Sequence, residues 1–329
     1  MNSSEHNLSM FTTYQDIRSE RRQMLPRLER SPREMEEYHD KWIRETVYLS
    51  LEEMQKERGQ PPAPFAFFLL GSAARGEQGF VSDQDHGLIY KNAEGADDYF
   101  LSLGYKISNS LDLIGYDWCE GGIMAANSMF CKEEEAWRKQ FNQWLACESW
   151  EDVRYIFLLA DARTLVAKGI HMEELTRSFF STSQVSRQVL KRIASHMAVP
   201  PKGTNIFGQL LPVPKGPFSG SINLKTQGLF PYVNGARLAA LYYGWENVST
   251  FERLSRFEEK NREWSRLAEF FQLLLAWRTS SEVNSVEQGH FLALTKLTTE
   301  EKHQLKQALK IGRAFFLHMK RSLERGGRH

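Results

Sequence analysis

Apolar residues recur at helical spacing over much of the chain, and one short block breaks that rhythm. The opening 30 residues are polar and basic (Arg18, Arg21, Arg22, Arg27, Arg30), and a short helix is expected there. Ser31-Pro32-Arg33-Glu34 reads as a helix start. The serine suits the cap, the proline suits the first turn, and the glutamate is placed to complete a capping box. Met35, Tyr38, Trp42, Thr46, Leu49 and Met54 follow at helical spacing, and Gly59, Pro61 and Pro62 stop the helix. Ala63–Leu70 (APFAFFLL) is short, aromatic, apolar and bounded by prolines and a glycine, which predicts a buried strand. A loop, Gly71–Ser82, leads to a second strand expected over Asp83–Tyr90. The stripe Tyr99, Leu103, Ile107, Leu111, Ile114 predicts a helix over 96–114, and Gly121–Ala125 is expected as a third strand.

From Glu133 the pattern turns helical, through Trp137, Phe141, Trp144 and Leu145 and then Val153 to Val166. Another helix is expected over 183–198. Five of the eleven prolines crowd into 200–217 with Gly203, Gly208 and Gly216. That stretch reads as loop, ordered by packing or a ligand, or as a mobile lid. Helices are then expected over 231–243, 249–258, 261–279 and 299–324, two of them opened by the capping boxes Ser249-x-x-Glu252 and Thr298-x-x-Glu301. The stripe Phe270, Phe271, Leu274, Trp277 reads as core. The block 63–125 is therefore β-loop-β-α-β, and the chain reads as α+β, a small mixed sheet with helical cover followed by a helical bundle. The expected organisation is a helical segment over 1–60, a sheet-bearing domain over 61–150 and a helical domain over 151–329.

Composition changes this picture little. The chain has 329 residues, 41% hydrophobic and 25% charged, with a formal net charge of +1. Wholesale disorder is excluded. No global field points to nucleic acid or an anionic membrane, and the near-neutral charge with no basic stripe argues against a nucleic-acid partner. The longest apolar runs fall far short of the ~20 residues of a membrane span, so no membrane partner is expected. No secretory signal is visible at the N-terminus. Three cysteines, Cys119, Cys131 and Cys147, form no C-x-x-C, which fits a reducing cytosol and a cytoplasmic location.

The sequence has no P-loop, no dinucleotide fingerprint, no H-E-x-x-H and no G-x-S-x-G. The chemistry concentrates in Leu70-Gly71-Ser72-Ala73-Ala74-Arg75-Gly76-Glu77 through Asp83-Gln84-Asp85-His86. Asp83 and Asp85 stand two apart on an expected strand, so their side chains leave one face. Two adjacent like charges are costly unless a cation neutralises them, and a carboxylate pair aimed at one point suits Mg²⁺. Upstream, Gly71 lets backbone N–H groups approach a phosphate, Ser72 adds a hydroxyl, and Arg75 can fork onto phosphate oxygens. An Asp-x-Asp alone is ordinarily a solvated turn; the ordered pairing with Gly-Ser is what gives it weight.

This pattern resembles the DNA-polymerase-β-like nucleotidyltransferase superfamily, whose signature is Gly-Ser, a short helix and Asp-x-Asp. More narrowly, GSAARGEQ…SDQDHGLIY is similar to the DUF294 group, relatives of the uridylyltransferase that modifies the PII signal protein. Cys119 to Asn127 looks like that group's Cys-x-Gly-x-x-Met-Ala-x-Asn segment. Ile222-Asn223-Leu224-Lys225, Gly228, Pro231, Gly235-Ala236-Arg237 and Thr250-x-x-Arg253-Leu254 look like its C-terminal domain. The resemblance implies a polymerase-β-like catalytic domain and a helical substrate domain. It implies Gly71 and Ser72 on the triphosphate, Asp83 and Asp85 as catalytic ligands of Mg²⁺ or Mn²⁺, and Arg75 and Glu77 supporting the loop or touching nucleotide. The implied reaction is transfer of NMP from an NTP to a protein or small-molecule acceptor, with pyrophosphate leaving, in the manner of a signalling enzyme.

The superfamily commonly uses a third carboxylate. Asp112, Asp117 and Glu120 lie in the right region, but none sits in a recognisable motif, and the expected strand 121–125 carries no acid. The competing reading is a module of the same fold that senses a nucleotide or docks a partner without efficient transfer. His86 should face away from Asp85 and serve structure. Asp161-Ala162-Arg163 reads as a helix-anchoring ion pair, Cys119 as packing, and the basic tail (Lys320, Arg321, Arg325, Arg328) as a solvated helix end. Lys225, in a Gly/Pro-rich approach to a helix, is a candidate substrate contact or a solvated lysine.

Overall fold

A computed structural model describes residues 10–28, 31–146, 149–180, 186–246, 249–279, 285 and 287–325. Arg30, Cys147 and Arg328 lie outside the described residues. In chain order the elements are α1 (Tyr14–Met24), α2 (Pro32–Arg58), β1 (Phe65–Leu69), α3 (Gly71–Ala74), β2 (His86–Tyr90), α4 (Ala96–Ile114), β3 (Cys131–Glu133), α5 (Glu134–Trp144) and α6 (Trp150–Ala160). There follow β4 (Arg163–Lys168), α7 (Met172–Phe180), α8 (Arg187–His196), β5 (Ser221–Asn223), α9 (Phe230–Tyr243), α10 (Thr250–Lys260), α11 (Leu267–Arg278), β6 (Phe291–Ala293) and α12 (Thr299–Glu324). The fold is α+β, with a small mixed sheet and a helical C-terminal region. The chain divides into two compact units, Met1–Gln140 with Ala162–Leu175, and Phe141–Asp161 with Thr176–His329.

In the first unit the sheet runs β3-β2-β1-β4. β1 is antiparallel to β2, from Phe65 opposite Tyr90 to Leu69 opposite His86, and antiparallel to β4 on its other edge. β2 is parallel to β3. Every residue of β1 and β2 is buried. Burial on both faces is why this region reads as a continuous apolar run and not as an alternation. Phe100 of α4 closes one face, its ring 4.5 Å from Tyr90 and 5.2 Å from Phe65.

Four local expectations are corrected. Ser31 makes no side-chain cap bond to α2, so no capping box forms. Its N–H is already given to the Leu28 carbonyl at 3.1 Å by the preceding turn. β2 begins at His86 and not at Asp83, which makes only an isolated bridge to Asp117. Gly121–Ala125 is turn, and the third strand is β3. The segment still flanks β2, because the His86 N–H donates to the Ile123 carbonyl at 3.1 Å. Finally, the helix expected through Val166 stops at Ala160, and 163–168 is strand β4.

The second unit is helical with a two-stranded ribbon, β5 antiparallel to β6. α9 is buried on nearly every side and packs against α10 and α12. Thr298 forms its full capping box, and Ser249 accepts from the Glu252 N–H. Asp161, fully buried, accepts from Arg237 at 2.9 and 2.5 Å and from Arg253 at 2.7 Å. Two guanidiniums on one carboxylate satisfy a charge that would otherwise be very costly to bury.

Candidate active site

β1 ends at Leu70, whose N–H donates to the Asp85 carbonyl at 2.9 Å, and the chain enters the single helical turn α3. Gly71 opens that turn with φ of +55°, a left-handed conformation that favours glycine. A Cβ at this position would lie 2.2 Å from Oδ2 of Asp85. The backbone of residue 71 therefore lies against the Asp85 carboxylate, and no larger residue fits.

Alternation fixes the acids even though the strand starts later than expected. Gln84 and His86 are buried, while Asp83 and Asp85 are partly exposed. The inward residues form a chain of hydrogen bonds. Nδ1 of His86 accepts from the Ala125 N–H at 3.2 Å, so its Nε2–H donates to Oε1 of Gln84 at 2.9 Å. The Gln84 amide donates to the Ser108 and Tyr116 carbonyls, both at 3.1 Å. Burial pushes the His86 imidazole down to about 3, so it is neutral and structural, as the sequence suggested.

The carboxylates of Asp83 and Asp85 lie within 4.8 Å of each other and of the Cys119 sulfur. Sequence reasoning gave Cys119 a packing role only. It is buried, but it also stands in this cluster, with a thiol hydrogen bond to Asp85. Burial first, and then the Asp85 charge, push the thiol up to about 12, so it is protonated and donates. Cys119 lies far from the acids in sequence and in no ligand spacing; only the family-like Cys-x-Gly segment marked it. It arrives through the turn whose Ala125 carbonyl would lie 2.1 Å from a Cβ at Gly104, so glycine there seats the turn on α4. Asp112, Asp117 and Glu120 are exposed, and among the described residues none joins this group.

Arg75 is engaged with Glu77, at 2.9 Å from Nε and 2.7 Å from Nη2, and both side chains are nearly buried. Asp161 and Arg163 do not pair with each other. Asp161 holds helices of the second unit, while Arg163 on β4 binds Asp40 of α2 at 2.6 and 2.8 Å. Arg163 also donates to the Ala74 and Ala73 carbonyls at 3.0 and 3.2 Å, which tethers the end of the Gly71 turn. The ion pair expected within Asp161-Ala162-Arg163 is thus corrected: each residue anchors a helix, but through a different partner. Lys225 is exposed on a π-helical turn of the second unit, in the electrostatic neighbourhood of His290 and Arg278.

Two family models match the chain, "Putative nucleotidyltransferase DUF294" over residues 21–151 and "Putative nucleotidyltransferase substrate binding domain" over 187–323. The chain belongs to the DUF294 family. The first match contains every element of the acid-pair site of this DUF294 protein, and the second runs from the start of α8 to the last turn of α12. No curated protein matches the chain. No helix among the described residues is long and apolar enough to cross a membrane.

Proposed function

We propose that this protein is a metal-dependent nucleotidyltransferase that moves NMP from an NTP to a protein or small-molecule acceptor and releases pyrophosphate. The observation that carries this reading is the convergence of Asp83 and Asp85 beside a Gly71 backbone that leaves no room for a side chain. Two carboxylate oxygens are a hard donor set that fits Mg²⁺ or Mn²⁺. Cys119, a protonated thiol bonded to Asp85, fits as an outer support that orients the carboxylate. A bound divalent cation would supply neutralisation of triphosphate charge and polarisation of the phosphorus–oxygen bonds.

The chain's own part is positioning and charge placement. In this reading the Gly71 backbone and the Ser72 hydroxyl receive phosphate oxygens. The Arg75–Glu77 pair stiffens the loop after them, and Arg163 ties the turn to α2 through Asp40. In the proposed reaction an acceptor oxygen bonds to the α-phosphorus while the bond to the leaving pyrophosphate breaks.

One observation favours the second reading, a nucleotide-sensing or partner-docking module of the same fold. The third member of the cluster is a thiol and not a carboxylate, so no third acid among the described residues stands in it to take the acceptor's proton. Label transfer separates the two. The purified chain is mixed with each α-labelled NTP, Mg²⁺ or Mn²⁺, and protein and small-molecule fractions of a cytosolic extract. Transfer by wild type but not by Asp83→Asn/Asp85→Asn supports the enzyme. Metal-dependent NTP binding without transfer supports the sensor.

A further inference from the structure

The charge of the second unit is unevenly spread. From Leu175 to Trp245 the sequence contains no aspartate or glutamate and eight lysines and arginines, an excess hidden in the net charge of +1. Arg237 is engaged with Asp161 and Arg177 with Glu246. Among the described residues Lys202, Lys215 and Lys225 form no ion pair, and all three are exposed.

The Pro/Gly-rich stretch that carries them is built of two tied hairpins. In the first, Leu211 N–H donates to the Gly203 carbonyl and Asn205 N–H to the Gln209 carbonyl, both at 2.9 Å. Oδ1 of Asn205 accepts from the N–H groups of Phe207 and Gln209, both at 2.9 Å, which fixes the tip. The buried Gln227 amide donates to the carbonyls of Lys202 and Leu211 at 3.0 and 3.1 Å, which fixes the stem. In the second, Val213 and Gly220–Ser221 exchange backbone bonds around a turn bearing Lys215, and Phe218 stacks on Phe291 at 4.0 Å. On the first tip Ile206 is 87% and Phe207 81% exposed. Leaving two such side chains in water forgoes the burial that a partner would supply.

We infer that these hairpins are a docking surface for an acidic protein acceptor, with Ile206 and Phe207 as the apolar anchor and Lys202, Lys215 and Lys225 as the charged rim. This rests on the transferase reading and narrows its acceptor to a protein. Small molecules are enclosed by concave sites, whereas a protruding tip fills a pocket on a partner. A rim of exposed lysines that form no ion pair among the described residues selects an anionic complement. Single-stranded nucleic acid is held on successive aromatic faces, and one phenylalanine beside an isoleucine is no such platform. The surface also lies within the span matched by the family's substrate binding domain.

The test is fluorescence anisotropy with the full chain and a labelled peptide carrying a Leu-Phe pair between runs of glutamate. The comparison probes are the same peptide with lysine runs, phosphatidylserine–phosphatidylcholine vesicles and single-stranded RNA. The acidic peptide is expected to bind. Ile206→Ser with Phe207→Ser, and separately Lys202→Glu with Lys215→Glu, are each expected to weaken it by about tenfold or more. Added salt should weaken binding by wild type and strengthen what remains in the charge variant, whose glutamates repel the peptide. The inference is overturned if neither pair of substitutions matters, if vesicles or RNA bind in place of the peptide, or if the peptide does not bind at about 1 mM. Asp83→Asn/Asp85→Asn should bind the peptide as wild type does. Peptide binding without any NTP binding would sink the transferase reading alone; NTP transfer without peptide binding would sink this surface alone.

Discussion

At the scale of single residues, the site depends on what is missing from Gly71. A methyl group there meets both a left-handed backbone and the Asp85 carboxylate. Gly71→Ala is therefore expected to cost about 1–2 kcal/mol from the backbone alone. It should reduce NTP affinity by more than that loss of stability explains, because Asp85 must also move. Thermal melts and calorimetric titration of the variant check both; unchanged affinity would mean that the Gly71–Asp85 contact does not shape the site. His39 gives a pH dependence. Burial, and then the charge of Arg21, push its imidazole from 6.5 down to about 3 in the folded chain. Unfolded chains then bind a proton that folded ones do not, so stability is complete above about 6.5 and falls as pH drops toward 3. The slope is up to about 1.4 kcal/mol per pH unit for each such group. His39→Gln should remove one proton's share of that slope in urea unfolding between about pH 7 and 5. An unchanged slope would show that His39 is not buried neutral. The Gly-Ser and Asp-x-Asp positions were legible in the sequence because their chemistry is local. Cys119 was not, since only long-range backbone pairing of 117–123 with 83–86, and the seating of the turn on Gly104, carry it to the acids.

At the scale of elements, the decisive strand was the one the pattern concealed. Arg163–Lys168 follows α6 with neither Gly nor Pro between them, and Leu165 and Val166 prolong the helical spacing of Ile156 to Leu159. Only pairing with β1 overrides that rhythm, and long-range pairing leaves no local mark. The segment 121–125 failed in the opposite sense. It is apolar enough for a strand, but the His86 side chain takes the Ala125 N–H that a ladder partner would use. The consequence for function lies in β4. Arg163 joins β4, α2 and the Gly71 turn, so Arg163→Leu should lose charge-assisted bonds of about 1.5–3 kcal/mol each. It should also raise the dissociation constant for metal–NTP, because the Ala73 and Ala74 carbonyls are released. Asp40→Asn, which leaves those carbonyl bonds in place, should cost stability but affect NTP binding less. Equal effects of the two on NTP binding would remove the tether from the account.

At the scale of the whole molecule, the α+β class and the order of the helices followed from periodicity and capping, because those signals are carried by neighbouring residues. The charge asymmetry of the second unit did not show in the net charge, which averages it away. What makes the folded chain a DUF294 transferase, in the reading proposed above, is one particular pair of acids. The most direct measurement is calorimetric titration of NTP into the purified chain with and without Mg²⁺ or Mn²⁺, for wild type and for Asp83→Asn/Asp85→Asn. Circular dichroism confirms that the variant is folded. Metal-dependent binding by wild type is expected, with its loss in the folded variant. Equal metal-dependent binding by both would show that Asp83 and Asp85 are not the site.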